Sequence, residues 1–101
     1  MALSLVVHEL GPLSAEAEQK FFDAVFAIAP DHWRVTPSVT LVATEVSTRY
    51  LLDHLKEATR RAGVAVPRLL LATPLGPDMA AQGLTAEGEA WVREMRGGGG
   101  A

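Results

Sequence analysis

"LSLVVHEL" (residues 3–10) ends an apolar run with His8 and Glu9 side by side. An imidazole next to a carboxylate suggests an acid–base couple. A β-strand sends successive side chains to opposite faces, so neighbours in the chain are separated in space. Glu9 alone then remains as a candidate catalytic carboxylate, a general base or a Mg²⁺ ligand. The competing reading is a strand-end carboxylate that hydrogen-bonds the loop after it.

The other reactive residue types form no recognisable set. His8, His32 and His54 are isolated, without the H-x-x-x-H or H-E-x-x-H spacing of a metal site, so no protein-only metal site is expected. His32, in "PDHW", reads as a hydrogen-bonding residue at a strand start, and His54 as a residue on the wet side of a helix. Ser4, Ser14, Ser38 and Ser47 occupy strand, cap and turn positions outside any G-x-S-x-G elbow. No glycine-rich stretch has the phosphate-loop or dinucleotide pattern. The chain has no cysteine, which excludes thiolate nucleophiles, disulfides and cysteine metal sites. Trp33 and Trp91 read as core or interface residues. Arg34 with Arg68, and Arg60 with Arg61, are the basic pairs and the candidate nucleic-acid contacts, although no aromatics interleave with them.

These residues need a scaffold, and composition sets its size. With 101 residues, 49% hydrophobic and 21% charged, the chain suits one domain with its own core. A net charge of −3 gives no general attraction to nucleic acid or anionic membrane. The first residues carry no basic leader, and no apolar run approaches the roughly 20 residues of a membrane helix. A cytoplasmic location is the expectation.

Residues 3–10 form a first strand, with Leu3, Leu5, Val7 and Glu9 on one side and Ser4, Val6, His8 and Leu10 on the other. The first set is expected to face the helices. "GPL" at 11–13 breaks the strand. Ser14 caps a helix carrying Phe21, Val25 and Ile28, which ends before Pro30. "HWRVTPSVTLVATEV" (32–46) is a hairpin. Ser47 starts a helix with Leu51, Leu55, Ala58 and Ala62 on one face, Glu57 and Arg61 on the wet side, and Gly63 at its end. After "VAVP", "RLLLATPL" (68–75) is a fourth strand and "GPDMAAQG" a loop. Thr85 caps a last helix with Trp91, Val92 and Met95.

This order is the ferredoxin-like βαββαβ arrangement, an α+β fold with a four-stranded antiparallel sheet, two helices on one face and a short C-terminal helix. The domain spans residues 1–96, and 97–101 form a flexible glycine-rich tail. The sheet face opposite the helices is too apolar to be left wet, so a homodimer is expected, with Val6, His8, Val42 and Leu70 at its interface.

The first strand ending "VVHEL", the run "HWRVTPSVTLVATEVS" into "LLDHLKEA", then "RLLLATPLG" and a "GL-x-x-E" step into the last helix, follow one another over residues 3–95. In this order they resemble the small SinR-like bacterial proteins, which are similar to the CRISPR-associated adaptation subunit and to virulence-associated protein D. The resemblance implies a ferredoxin-like dimer. Some members of that superfamily are metal-dependent ribonucleases or nucleic-acid-binding scaffolds whose first strand ends Tyr-Asp-Leu, the Asp pairing across the dimer. His8, Glu9 and Leu10 are the matching positions, and Glu in place of Asp lengthens the arm by a methylene.

Two readings follow. The first is a non-catalytic homodimeric interaction or regulatory module, related to nucleic-acid-processing proteins of defence systems, with a protein partner and no cofactor. The second is a Mg²⁺-dependent endoribonuclease or nuclease with Glu9 as metal carboxylate. The acidic balance, the Glu for Asp and the missing basic stripe favour the first. A third class, a small-molecule-binding domain, requires a pocket between helices and sheet.

Overall fold

A computed structural model describes residues 2–63, 68–76 and 82–97. The elements are β1 (Ala2–Glu9), α1 (Ala15–Ile28), β2 (Asp31–Thr36), β3 (Val39–Thr44), α2 (Thr48–Arg61), β4 (Leu69–Pro74) and α3 (Ala86–Gly97). The strands make one four-stranded antiparallel sheet in the order β2-β3-β1-β4. This is the expected ferredoxin-like α+β fold with an added C-terminal helix. "VAVP", residues 77–81 of the "GPDMAAQG" loop, and residues 98–101 of the glycine tail lie outside the described residues. Among the described residues no helix is long and apolar enough to cross a membrane.

The helix boundaries follow from local chemistry. The Ala17 N–H donates to Ser14 Oγ at 3.1 Å, and the Tyr50 N–H to Ser47 Oγ at 3.1 Å, so both serines cap as expected. Thr85 does the same for α3, its Oγ1 accepting from the Gly88 N–H at 3.0 Å. After α2, Gly63 adopts φ +87, a left-handed conformation that a side chain would disfavour. Pro30 follows the C-cap Ala29 of α1.

The core lies between the sheet and α1 with α2. Val6 and Val42 from the sheet pack with Phe21, Val25 and Ala29 of the α1 segment, and with Leu51 and Leu55 of α2. Leu70 and Ala72 of β4 pack against the same cluster. Burying one such side chain fully contributes roughly 1.5–3 kcal/mol, so this layer dominates the stability.

The alternation along β1 is as expected, but the assignment of its two faces is reversed. Val6, His8, Val42 and Leu70, expected at a dimer interface, face α1 and α2 inside the protomer. They are therefore not exposed to a second copy. Both faces of β1 are apolar, so alternation separates two sets of residues without saying which set the crossover helices cover. The ladder couples Leu3 to Ala43, Leu5 to Leu41 and Val7 to Val39, and Val7 also to Leu71 and Glu9 to Leu69. These residues form the second face.

That second face is itself divided. α3 lies over its β2 side, where Trp91 meets Trp33 at 6.5 Å between ring centroids and 30° between planes. Leu3, Leu41 and Ala43 are buried. Towards β4 the face is bare, with Leu69 at 44% and Leu71 at 42% exposure, beside the half-buried Val7 and Val39.

Candidate functional site

At the C-terminal end of β1 the chain leaves the sheet through Gly11, whose φ of +81 suits a residue without a side chain. Between this exit, the start of α1 and the β2–β3 hairpin is a cavity of about 360 Å³, with His8, Glu9, Phe22, Arg34 and Arg68 among its walls. It brings together the two residues that open the sequence argument and one of the four arginine candidates from each of two strands' ends.

His8 sits at the inner wall, 4% exposed, and its Nε2 shares a hydrogen bond of 2.9 Å with Thr40 Oγ1. The ring rests against Phe21 and Phe22, with centroids at 5.2 and 5.6 Å. Burial holds the imidazole pKa below its ordinary value, and the nearby Arg34 charge adds to this. Its own backbone, Glu9 and Glu18 pull the other way. His8 is thus a neutral packing residue bonded to one hydroxyl, and not a partner of Glu9.

Arg34 is fixed from three sides. Its Nη1 donates to Glu18 Oε1 at 2.9 Å, its Nη2 to the Pro37 carbonyl at 3.1 Å, and the guanidinium lies 4.3 Å from the Phe22 ring centre. The β2–β3 register slips between Arg34 and Thr36, and such a bulge re-aims the side chains beside it. The pairing of Glu18 with Arg34, sixteen positions on, has no local signal in the sequence.

Arg68 enters from the residue before β4. Its Nε would stand 3.8 Å from a Cβ placed on Gly11. Glu9 pairs with Leu69 in the ladder, which sets Glu9 and Arg68 at the same end of the sheet. Neither side chain has a hydrogen bond or ion pair among the described residues.

The remaining candidates lie elsewhere. Arg60 and Arg61 are on the last turn of α2, both paired with Glu57, Arg61 at 3.4 Å. Arg60 holds the Glu57 carboxyl below its usual pKa range. The four arginines therefore form two groups and no single stripe. His32 Nδ1 donates to the Ala29 carbonyl at 2.8 Å, as a strand-start residue was expected to do. His54 departs from expectation: its Nε2 donates to the Ala24 carbonyl at 2.9 Å, so it ties α2 to α1 instead of standing in water. Among the described residues no three His, Asp or Glu side chains converge as metal ligands. Glu9 shares its cavity with two guanidiniums and with Glu18, which Arg34 already holds. That donor set does not fit a Mg²⁺ ion held within one protomer.

Compared with known proteins, the chain matches no family model, no curated protein and no solved structure.

Proposed function

We propose that the chain is a non-catalytic interaction module that works as a homodimer, in line with its resemblance to SinR-like proteins. The bare half of the second sheet face carries this reading. Leu69 and Leu71 are large, apolar and exposed on strand β4, and Val7 and Val39 extend the strip across the sheet. Scattered exposed leucines are ordinary, but a contiguous apolar strip on a rigid sheet is the surface that a second copy covers by an isologous contact. Leu5, Val7, Val39, Leu69 and Leu71 take the place of Val6, His8, Val42 and Leu70 as interface residues.

The nuclease reading has less behind it. Glu9 offers one carboxylate per protomer, and Arg60 and Arg61 are already engaged by Glu57.

Light scattering tests the module directly. Wild type is expected at twice its 10.8 kDa chain mass and Leu71→Glu at the single mass, with unchanged circular dichroism. A wild-type monomer at high concentration overturns the proposal. Metal-dependent cleavage of RNA or DNA that is lost in Glu9→Gln would favour the enzyme instead.

A further inference from the structure

Two arginines and a buried histidine of the cavity at the end of β1 share the helix side of the sheet. His8 stands opposite Leu70 in the ladder, and Arg34 opposite Thr40, the residue that bonds the His8 ring. Arg68, two residues before Leu70, falls on the same side by strand alternation, and its Nε lies over the chain exit at Gly11. Glu9 also borders the cavity, but its place opposite Leu69 turns its side chain to the second face.

The helix side of the cavity therefore carries two guanidiniums and one carboxylate. Arg34 and Glu18 satisfy each other, and His8 is buried and neutral. The Arg68 side chain has no hydrogen bond or ion pair among the described residues, so its charge is left uncompensated. An exposed arginine without a partner is ordinary on a surface. This one stands beside Leu10, Leu13 and Phe22 at a cavity of about 360 Å³. That volume is near the low end for ligand sites, which run from roughly 300 to 1,000 Å³.

One net positive charge beside apolar walls selects the ligand. A phosphate group, with close to two charges and more acceptors, needs more donors than one arginine supplies. A peptide end would bring amide groups into the cavity, and buried amides need partners. Glu18 and the His8 Nε2 are already bonded within the protein. A small anion with one charge and no other polar group suits both the volume and the walls.

We propose that this cavity binds a free monocarboxylic acid with an aliphatic or aromatic remainder. Arg68 takes the carboxylate through its planar guanidinium, and Leu10, Leu13 and Phe22 receive the remainder. Arg34 is a fixed wall, clamped by Glu18 and the Pro37 carbonyl. The site is complete within one protomer and does not rest on the dimer.

Titration of the full-length ¹⁵N-labelled protein with phenylacetate and 4-methylpentanoate, followed by NMR in a phosphate-free buffer, tests this. Saturable shifts are expected at Arg68 and in the stretches 8–13 and 34–38. Phenylacetamide, close in shape but uncharged, and phenethylamine, of opposite charge, should each bind about tenfold or more weakly. Arg68→Met should lose affinity for phenylacetate to the same degree, and the position is exposed, so folding is not at stake. Arg60→Met removes an equal charge outside the cavity and should bind like wild type. No saturable shift up to about 10 mM of either acid overturns the proposal. Equal binding of phenylacetamide, undiminished binding by Arg68→Met, or shifts located elsewhere overturns it as well. Tighter binding of inorganic phosphate, or of N-acetyl-alanyl-phenylalanine, than of phenylacetate would give the site to a phosphate or a peptide end and overturn it too.

Discussion

One face of the sheet carries Val6, Val42 and Ala72 beneath two helices of 14 residues each; the other carries Leu3 and Leu41 beneath a single helix of 12, with Leu71 exposed beside it. The faces are similar in apolar content. They differ in how their covering helices are attached. α1 and α2 are crossover connections, fixed at both ends by strands of the same sheet, so folding the sheet brings them down on one face. α3 follows the last strand of the sheet instead of linking two of its strands; it covers the part of the other face that Trp33 and Trp91 hold, and its Arg96 Nη2 donates to the Gly76 carbonyl at 2.8 Å. Coverage here follows connectivity more than hydrophobicity, and the second face is the one left partly uncovered.

The contrast can be broken most strongly from the crossover side. Leu55→Ala, at a position with 0% exposure between α2 and the sheet, should cost about 3 kcal/mol in urea unfolding. Next is α3. A Cβ on Gly88 would stand 2.8 Å from Trp33 Nε1. Alanine improves a helix by about 1 kcal/mol over glycine, but here the indole must shift or the helix must lift. Gly88→Ala is therefore expected to lose about 1 kcal/mol net and to red-shift tryptophan fluorescence. A rise in stability with unchanged fluorescence would show that α3 is not seated on Trp33.

A third test uses pH. The folded pKa of His8 is lowered by burial, so the unfolded chain binds the proton first. Its contribution is complete above about pH 6.5, the unfolded value, and is lost as pH falls towards the folded value. The Arg34 charge reinforces the direction, while the charges of Glu9 and Glu18 oppose it. His8→Gln should remove this acid loss, seen as a smaller difference between unfolding midpoints at about pH 7.5 and 5. The smallest effect is expected on the bare half-face. Leu71→Ala should change the stability of the protomer by no more than about 0.5 kcal/mol while weakening self-association.

Much of this was legible in the sequence, and the gaps have physical causes. Ser14, Ser47 and Thr85 announce the helices because capping is local chemistry within three residues. The hairpin around Pro37 and Ser38, and the element order, give the ferredoxin-like topology. The facing of β1 was not legible, because Val6 and Val7 are the same residue type and the one polar residue between Leu3 and Val7, Ser4, is buried and marks no wet side. His54 was misplaced for a related reason: its bond to the Ala24 carbonyl joins two helices, and a helical wheel knows only one. Of the site, Glu9, Arg34 and Arg68 were nameable singly. Their meeting at one cavity depends on a ladder register and a bulge, which are long-range facts.

The slip of register between Arg34 and Thr36 also bears on how copies of this protein can assemble. β2 and β4 are the two outer strands of the sheet, each with backbone groups turned outward. A strand docking edge-on along β2 would lose its alignment at the extra residue, and along β4 it would meet Pro74, which has no N–H to donate. Growth of a continuous sheet from copy to copy is thereby obstructed at both rims. Association across the flat of the sheet closes after two copies, so concentrated solutions should hold discrete particles and no fibrils.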